Sequence, residues 1–219
     1  MVPTEVFVVN AVHDRRGGFV TAFAGDPKLV AQASHDEWRR QSIVRVKDAA
    51  DVVIVNAAPY ASDLKSGLRA IACGAAALRE NGALLVFLAA EKPPPNPRSS
   101  PKLPPTTLFS FFLQAVGHRR ILSYARKTWK GFSIEEQIHA YQILALLKRN
   151  RILLYAPRLS QGAARRYGPI EWFAEPDALL ARARRLVPSG TAYAFPYAGA
   201  TWPLVERFEE AGDRQESPS

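Results

Sequence analysis

A chain of 219 residues with 47% hydrophobic and 10% aromatic content can bury a sizeable core, and one main domain over residues 1–211 with a flexible tail at 212–219 is expected from its length and its polar end. Its longest apolar runs, Asp51 to Ala58 and Ala83 to Ala90, fall short of the roughly 20 residues that a membrane-spanning helix needs, and Met1 to Asn10 has neither a basic start nor a small-residue cleavage site. The formal net charge of +9 suits an anionic partner but speaks to solubility and association rather than to fold.

The lone Cys73 cannot form an internal disulfide. Within an apolar helical pattern it reads as a small buried hydrophobe in a reducing compartment, so a cytoplasmic location is expected.

In chain order, Glu5 to Val12 is a continuous β-branched run and Phe19 to Ala24 a second one. The Gly17-Gly18 pair between them predicts an N-terminal β-hairpin. Gly25-Asp26-Pro27 then places an oxygen acceptor at an N-cap and a proline at the first helical position, which predicts a helix from about Pro27 to Arg40.

Asp51 to Asn56 is an unalternated valine-isoleucine run, the pattern of a strand covered on both faces. Asp63 is positioned to cap a helix that carries Leu64, Leu68, Ile71, Ala75 and Leu78 on one side. Asn81-Gly82 is read as the end of that helix and Ala83 to Ala90 as the next buried strand. The spacing implies a β-α-β unit with a right-handed parallel crossover.

From residue 93 to residue 105 the sequence PPPNPRSSPKLPP lacks backbone donors at its prolines, which predicts an exposed extended loop or, alternatively, a short-motif ligand. Beyond it, Thr106 to Val116 and Ser133 to Arg149 read as helices, Arg151 to Ala156 as a strand, Pro176 to Leu186 as a helix, Thr191 to Phe195 as a last strand and Pro203 to Glu210 as a short helix. The fold class is therefore α/β, a mainly parallel sheet flanked by helices with an N-terminal β-hairpin.

Ligands of open α/β sheets bind beyond the carboxyl ends of the strands, which points to the turn Asn56 to Asp63 and the first turn of the following helix. Tyr60, Asp63, Lys65 and Arg69 are the candidate substrate-binding residues, the two cations flanking a helix N-terminus that favours a carboxylate or phosphate. Asp63 opposes an anion unless it only caps the helix, which is its default role before an apolar-periodic run, and a solvated face explains Lys65 and Arg69 more simply.

His13, His35, His118 and His139 stand far apart, without helical metal-ligand spacing, so no metal site and no catalytic residue is assigned to this chain alone. Gly-x-Ser-x-Gly, Gly-x-Gly-x-x-Gly and Walker-type loops are all absent from the sequence. Basic clusters at His118-Arg119-Arg120, Arg126-Lys127 with Lys130, Arg165-Arg166 and Arg182 with Arg184-Arg185 keep nucleic-acid binding open, although a solvated face explains them more simply.

Taken in order, VFVVNAVHDRRGGFVTAFAGD, ADVVIVNAAPYASDLKSGLRAIACGAAAL, NGALLVFLAA and YAFPYAGATWPLV resemble consecutive blocks of the C-terminal domain of the nickel-dependent lactate racemase family. The resemblance covers most of Thr4 to Val205, with the proline-rich loop as its largest departure. It implies a two-domain relative whose N-terminal domain binds a nickel-pincer nucleotide and carries the lysine and histidines of proton transfer, while the C-terminal domain closes over the cleft.

It also implies substrate contacts from a Tyr-Gln-x-x-Lys segment. That segment falls here on Gly67, Leu68 and Ile71, which cannot fill those polar roles, and a family tryptophan corresponds to Ile138.

Three readings follow. The first is the cleft-covering half of a 2-hydroxy acid racemase or epimerase, with no cofactor bound by this chain alone, a separate N-terminal subunit as partner and a small anionic substrate. The second is a non-catalytic binding or regulatory module of the same fold. The third is a basic nucleic-acid-binding protein.

Overall fold

The computed structural model describes residues 6–59, 64–89, 113, 115–128, 134–158 and 170–206. The hairpin read from Gly17-Gly18 is formed by β1 (Val8–His13) and β2 (Phe19–Gly25), paired antiparallel from Val8 opposite Gly25 to His13 opposite Phe19. Asp14 shapes its turn, because Oδ1 accepts the N–H groups of Arg16 and Gly18, each at 2.8 Å, while Gly17 takes a left-handed φ of 86° that costs a glycine little.

Helix α1 (Pro27–Ser42) begins as the sequence dictates. Asp26 Oδ1 accepts from Lys28 N–H at 2.9 Å and Leu29 N–H at 3.1 Å, and Pro27 occupies the first turn. At Ile43 the backbone turns extended and continues as β3 (Ile43–Val46).

β3 pairs in parallel with β9 (Trp202–Val205), from Ile43 opposite Trp202 to Val46 opposite Val205. The helix expected from Pro203 is thus a strand over its first residues, and 207–210 lie outside the described residues. Pro203, which has no N–H to donate, fits a two-stranded ladder that leaves that side of the strand unpaired, and its side chain is fully buried.

The β-α-β unit consists of β4 (Ala50–Asn56), α2 (Leu64–Ala76) and β5 (Leu78–Phe87), with Val52 to Asn56 in parallel register with Ala83 to Phe87. α2 ends at Ala76, five residues before the expected stop, and Leu78 belongs to β5 rather than to the helix. Asn81 adopts a left-handed backbone, φ 65°, inside a register irregularity of β5. A Cβ at Gly82 would lie 2.6 Å from the Asp51 carbonyl oxygen, so the Asn-Gly pair serves a close strand approach instead of a helix cap.

The remaining elements are α3 (His118–Thr128), α4 (Ile134–Arg149), β6 (Arg151–Tyr155), β7 (Glu171–Phe173), α5 (Pro176–Leu186) and β8 (Ala192–Phe195). Among the described residues β7-β6-β5-β4-β8 form one wholly parallel sheet. Successive residues of its central strands enter different cores: Val53, Val55, Leu84, Val86, Ile152 and Leu154 join the cluster that contains Ala70, Ile71 and Cys73 of α2 and Leu147 of α4. Ala83, Leu85 and Leu153 meet Leu179 and Ala183 of α5 on the opposite face.

Burial on both faces explains the unbroken apolar runs, and each enclosed leucine contributes about 1.5–3 kcal/mol. The sheet flanked by helices and the antiparallel hairpin make this an α/β fold. The proline-rich segment 93–105, the tail 212–219 and most of the expected helix from Thr106 lie outside the described residues. No helix among the described residues is long and apolar enough to cross a membrane.

Candidate functional site

The strand order locates a crevice. From β4 the chain proceeds outward through β5, β6 and β7, then returns to place β8 on the other side of β4. The order therefore reverses between β4 and β8, and the carboxyl ends of those strands are where open α/β sheets take ligands.

The turn after β4 is fixed there by its own polar groups. Asn56 Oδ1 accepts the Ala58 N–H at 3.1 Å, Ala57 N–H donates to the Phe87 carbonyl at 3.0 Å, and the Ala58–Pro59 peptide is cis. After β8, a 3-10 turn at Ala198–Ala200 comes back to it, with Gly199 N–H donating to the Ala58 carbonyl at 3.1 Å. The hairpin turn reaches the same place, since a Cβ on Gly17 would lie 3.7 Å from the Cβ of Pro59.

Beside this junction is a cleft of about 470 Å³. β1 and its turn supply one wall through Asn10, Val12, His13 and Asp14; α1 supplies another through Ser34, His35, Trp38 and Ser42; Arg69 of α2 and the Gly199-Ala200 backbone complete it. The His35 and Trp38 rings, one helical turn apart, stack at 5.9 Å with planes inclined by 23°, and Trp38 remains 41% exposed. His13 meets Phe19 edge-on at 6.3 Å.

Ser34 is only 5% exposed and its Oγ has no hydrogen-bond partner among the described residues. A buried hydroxyl without a partner forfeits its hydration and is uncommon in native proteins. Asp14, by contrast, already spends Oδ1 on two backbone N–H groups.

Of the four residues selected from the sequence, Arg69 lines this cleft. Lys65 lies on α2 with its side chain outside the described residues, and Tyr60 and Asp63 are themselves outside them. Sequence spacing missed His13 and His35, which 22 positions separate on a strand and a helix and which the fold brings to one cavity. Only the pairing of the hairpin with α1 joins them, and no local pattern encodes it. Among the described residues no group of three His, Cys, Asp or Glu is disposed to hold a metal ion.

The positions aligned with polar family residues are structural. Gly67 is buried, and a Cβ there would meet the Leu88 side chain at 3.2 Å. Ile71 belongs to the core, whereas Ile138 is 53% exposed on α4. Cys73 is almost fully enclosed, and desolvation pushes its thiol up to about 12, which makes it a poor nucleophile.

These observations define the class: a parallel α/β sheet with a ligand-sized crevice at its topological reversal, capped by a separate hairpin. No protein-family model and no curated protein matches the chain. Among solved structures it is similar to the lactate racemase apoprotein from Thermoanaerobacterium thermosaccharolyticum, with a TM-score of 0.70 and 15% sequence identity over 90% of this chain and 46% of that one. The chain thus has a lactate-racemase-like fold and spans about half the length of that protein.

Proposed function

We propose that the chain acts as the cleft-covering half of a 2-hydroxy acid racemase or epimerase, equivalent to the C-terminal domain of lactate racemase, and works in the cytoplasm with a separate N-terminal subunit. The observation that carries this reading is the coverage: a shared fold accounts for 90% of this chain but 46% of the racemase. An exposed apolar stretch at the start of the hairpin, with Phe7 72% and Val9 66% exposed, supports a partner-facing role.

On this reading a nickel-pincer nucleotide and the proton-transferring groups belong to the partner, and Gly67 and Ile71, which pack inside the chain, leave the substrate contacts aligned with them unfilled. This chain's contribution is to close the cleft, exclude water and present Arg69 and Lys65, together with Tyr60 and Asp63, to a small anionic substrate.

Co-purification from the native cell followed by metal analysis tests the reading. A nickel-containing partner recovered with the chain, and racemisation only by the pair, is the expected result; a metal-free chain recovered alone overturns it.

A second reading, a non-catalytic binding module, is favoured by the polar cleft that this chain builds by itself. It requires ligand binding by the isolated chain and no racemisation in any reconstitution. Nucleic-acid binding through the arginine clusters requires affinity that falls steeply with added salt, and absent or salt-insensitive gel shifts exclude it.

A further inference from the structure

The geometry points to the cleft between β1 and α1 as a binding site for an aromatic carboxylate: a planar ring against Trp38 and His35, with its anionic head toward Ser34, His13 and Arg69. This inference stands on the chain's own residues and not on any racemase partner. At about 470 Å³ the cleft falls within the range of roughly 300–1,000 Å³ typical of small-molecule sites.

Three features select the ligand. Trp38 is stacked by His35 on the same helix and still exposes two-fifths of its surface, so a rigid aromatic platform is already built and loses little freedom when a second ring stacks on it. The head-group end is rich in donors. Arg69 carries a permanent positive charge and contributes it even while engaged elsewhere in the chain, each imidazole offers at least one N–H, and Ser34 offers an O–H that no acceptor among the described residues takes.

The acidic residue on the wall, Asp14, is partly neutralised as an acceptor by the N–H groups of Arg16 and Gly18. A carboxylate satisfies the Ser34 hydroxyl and gains from the Arg69 charge, whereas a neutral ring or a cation gains from the platform alone.

The test uses the full chain with its histidine imidazoles isotopically labelled, titrated with sodium benzoate and, separately, with benzamide and sodium cyclohexanecarboxylate at constant ionic strength. Benzoate is expected to shift the His13 and His35 resonances saturably and to leave those of His118 and His139 in place. Benzamide, which lacks the charge, and cyclohexanecarboxylate, which lacks the planar ring, should each need at least about tenfold higher concentration, the discrimination that one charge-assisted contact or one aromatic pair supplies.

Ser34→Ala should weaken benzoate binding about fivefold, the typical worth of one hydrogen bond. It should leave the thermal midpoint of the ligand-free protein unchanged or raised, because an unsatisfied hydroxyl has been removed; Trp38→Leu provides an independent loss of ring selectivity. The inference is overturned by absence of a saturable shift with benzoate, by equal binding of benzamide, or by full affinity in Ser34→Ala. None of these outcomes bears on the half-racemase reading, which is decided by the identity of the co-purified partner.

Discussion

The carboxylate of Asp51, at the start of β4, accepts the backbone N–H of Thr191 at 2.8 Å and the Thr191 hydroxyl at 3.1 Å, joining two positions 140 residues apart in sequence. Its other oxygen accepts from the Arg79 guanidinium at 2.9 Å, and the same guanidinium donates to the Ala49 carbonyl at 3.0 Å. One side chain therefore sets the register in which β8 docks on β4, and so the position of the 3-10 turn that borders the cleft.

These contacts make the stability acid-dependent in a definite sense. The Thr191 N–H, with help from the Thr191 hydroxyl and Arg79 and against partial desolvation, holds the Asp51 carboxyl below its ordinary value of 3.8. A folded-state value below the unfolded one gives stabilisation that is complete above about 3.8 and disappears as the pH falls through the lower folded value. Asp51→Asn should therefore lower the thermal midpoint near neutrality and converge with the parent protein in strong acid. Melting curves over that range check this, and a constant difference at every pH refutes the carboxylate's role.

Gly74 of α2 faces the sheet at the closest approach of helix and strands. A Cβ there would come within 2.3 Å of Leu84 Cδ1 and 2.9 Å of Val55 Cγ1, both in the packed core. Gly74→Ala should destabilise by about 1–3 kcal/mol through overpacking, even though alanine is the better helix former. Denaturant unfolding measures the difference, and a gain in stability shows that α2 can move away from the sheet without loss.

Cys73 offers a probe of the same core. It is 1% exposed, and burial lifts its thiol to about 12, so little thiolate exists at neutral pH in the native state. Modification by a thiol reagent should follow unfolding, with a rate that rises with denaturant in step with the loss of helical signal. Rapid labelling of the native protein excludes an intact α2–sheet interface.

How much of this was legible beforehand depends on the range of the interactions. Asp26-Pro27 fixed the start of α1, and the Val52 to Val55 run identified a doubly covered strand, because caps and burial on both faces leave their marks within a few residues. Asn81-Gly82 reads as a helix end, yet the left-handed backbone at Asn81 lies within a strand, because helix ends and strand irregularities favour the same residues. The β3–β9 pair was hidden, since four-residue strands that meet across 159 positions carry no local periodicity. The carboxyl end of β4 follows from such local signals, whereas the convergence of His13, Ser34 and His35 depends on how the hairpin docks on α1.

That hairpin yields the last prediction. At the start of β1, Phe7 and Val9 are 72% and 66% exposed and have little of this chain, among the described residues, to pack on. A two-stranded ribbon with an apolar outer face is marginal alone and prone to non-specific pairing, so retaining such residues is understandable where a partner covers them. Phe7→Lys and Val9→Lys should each change the unfolding free energy by less than about 0.5 kcal/mol, as exposed substitutions do, while abolishing recovery of the nickel-containing partner from the cell. Chemical denaturation and affinity recovery from the same preparations separate the two effects. A loss of more than about 2 kcal/mol with partner binding intact would show that the face packs on this chain's own residues, and a stable variant that still retrieves the partner would place the docking surface elsewhere.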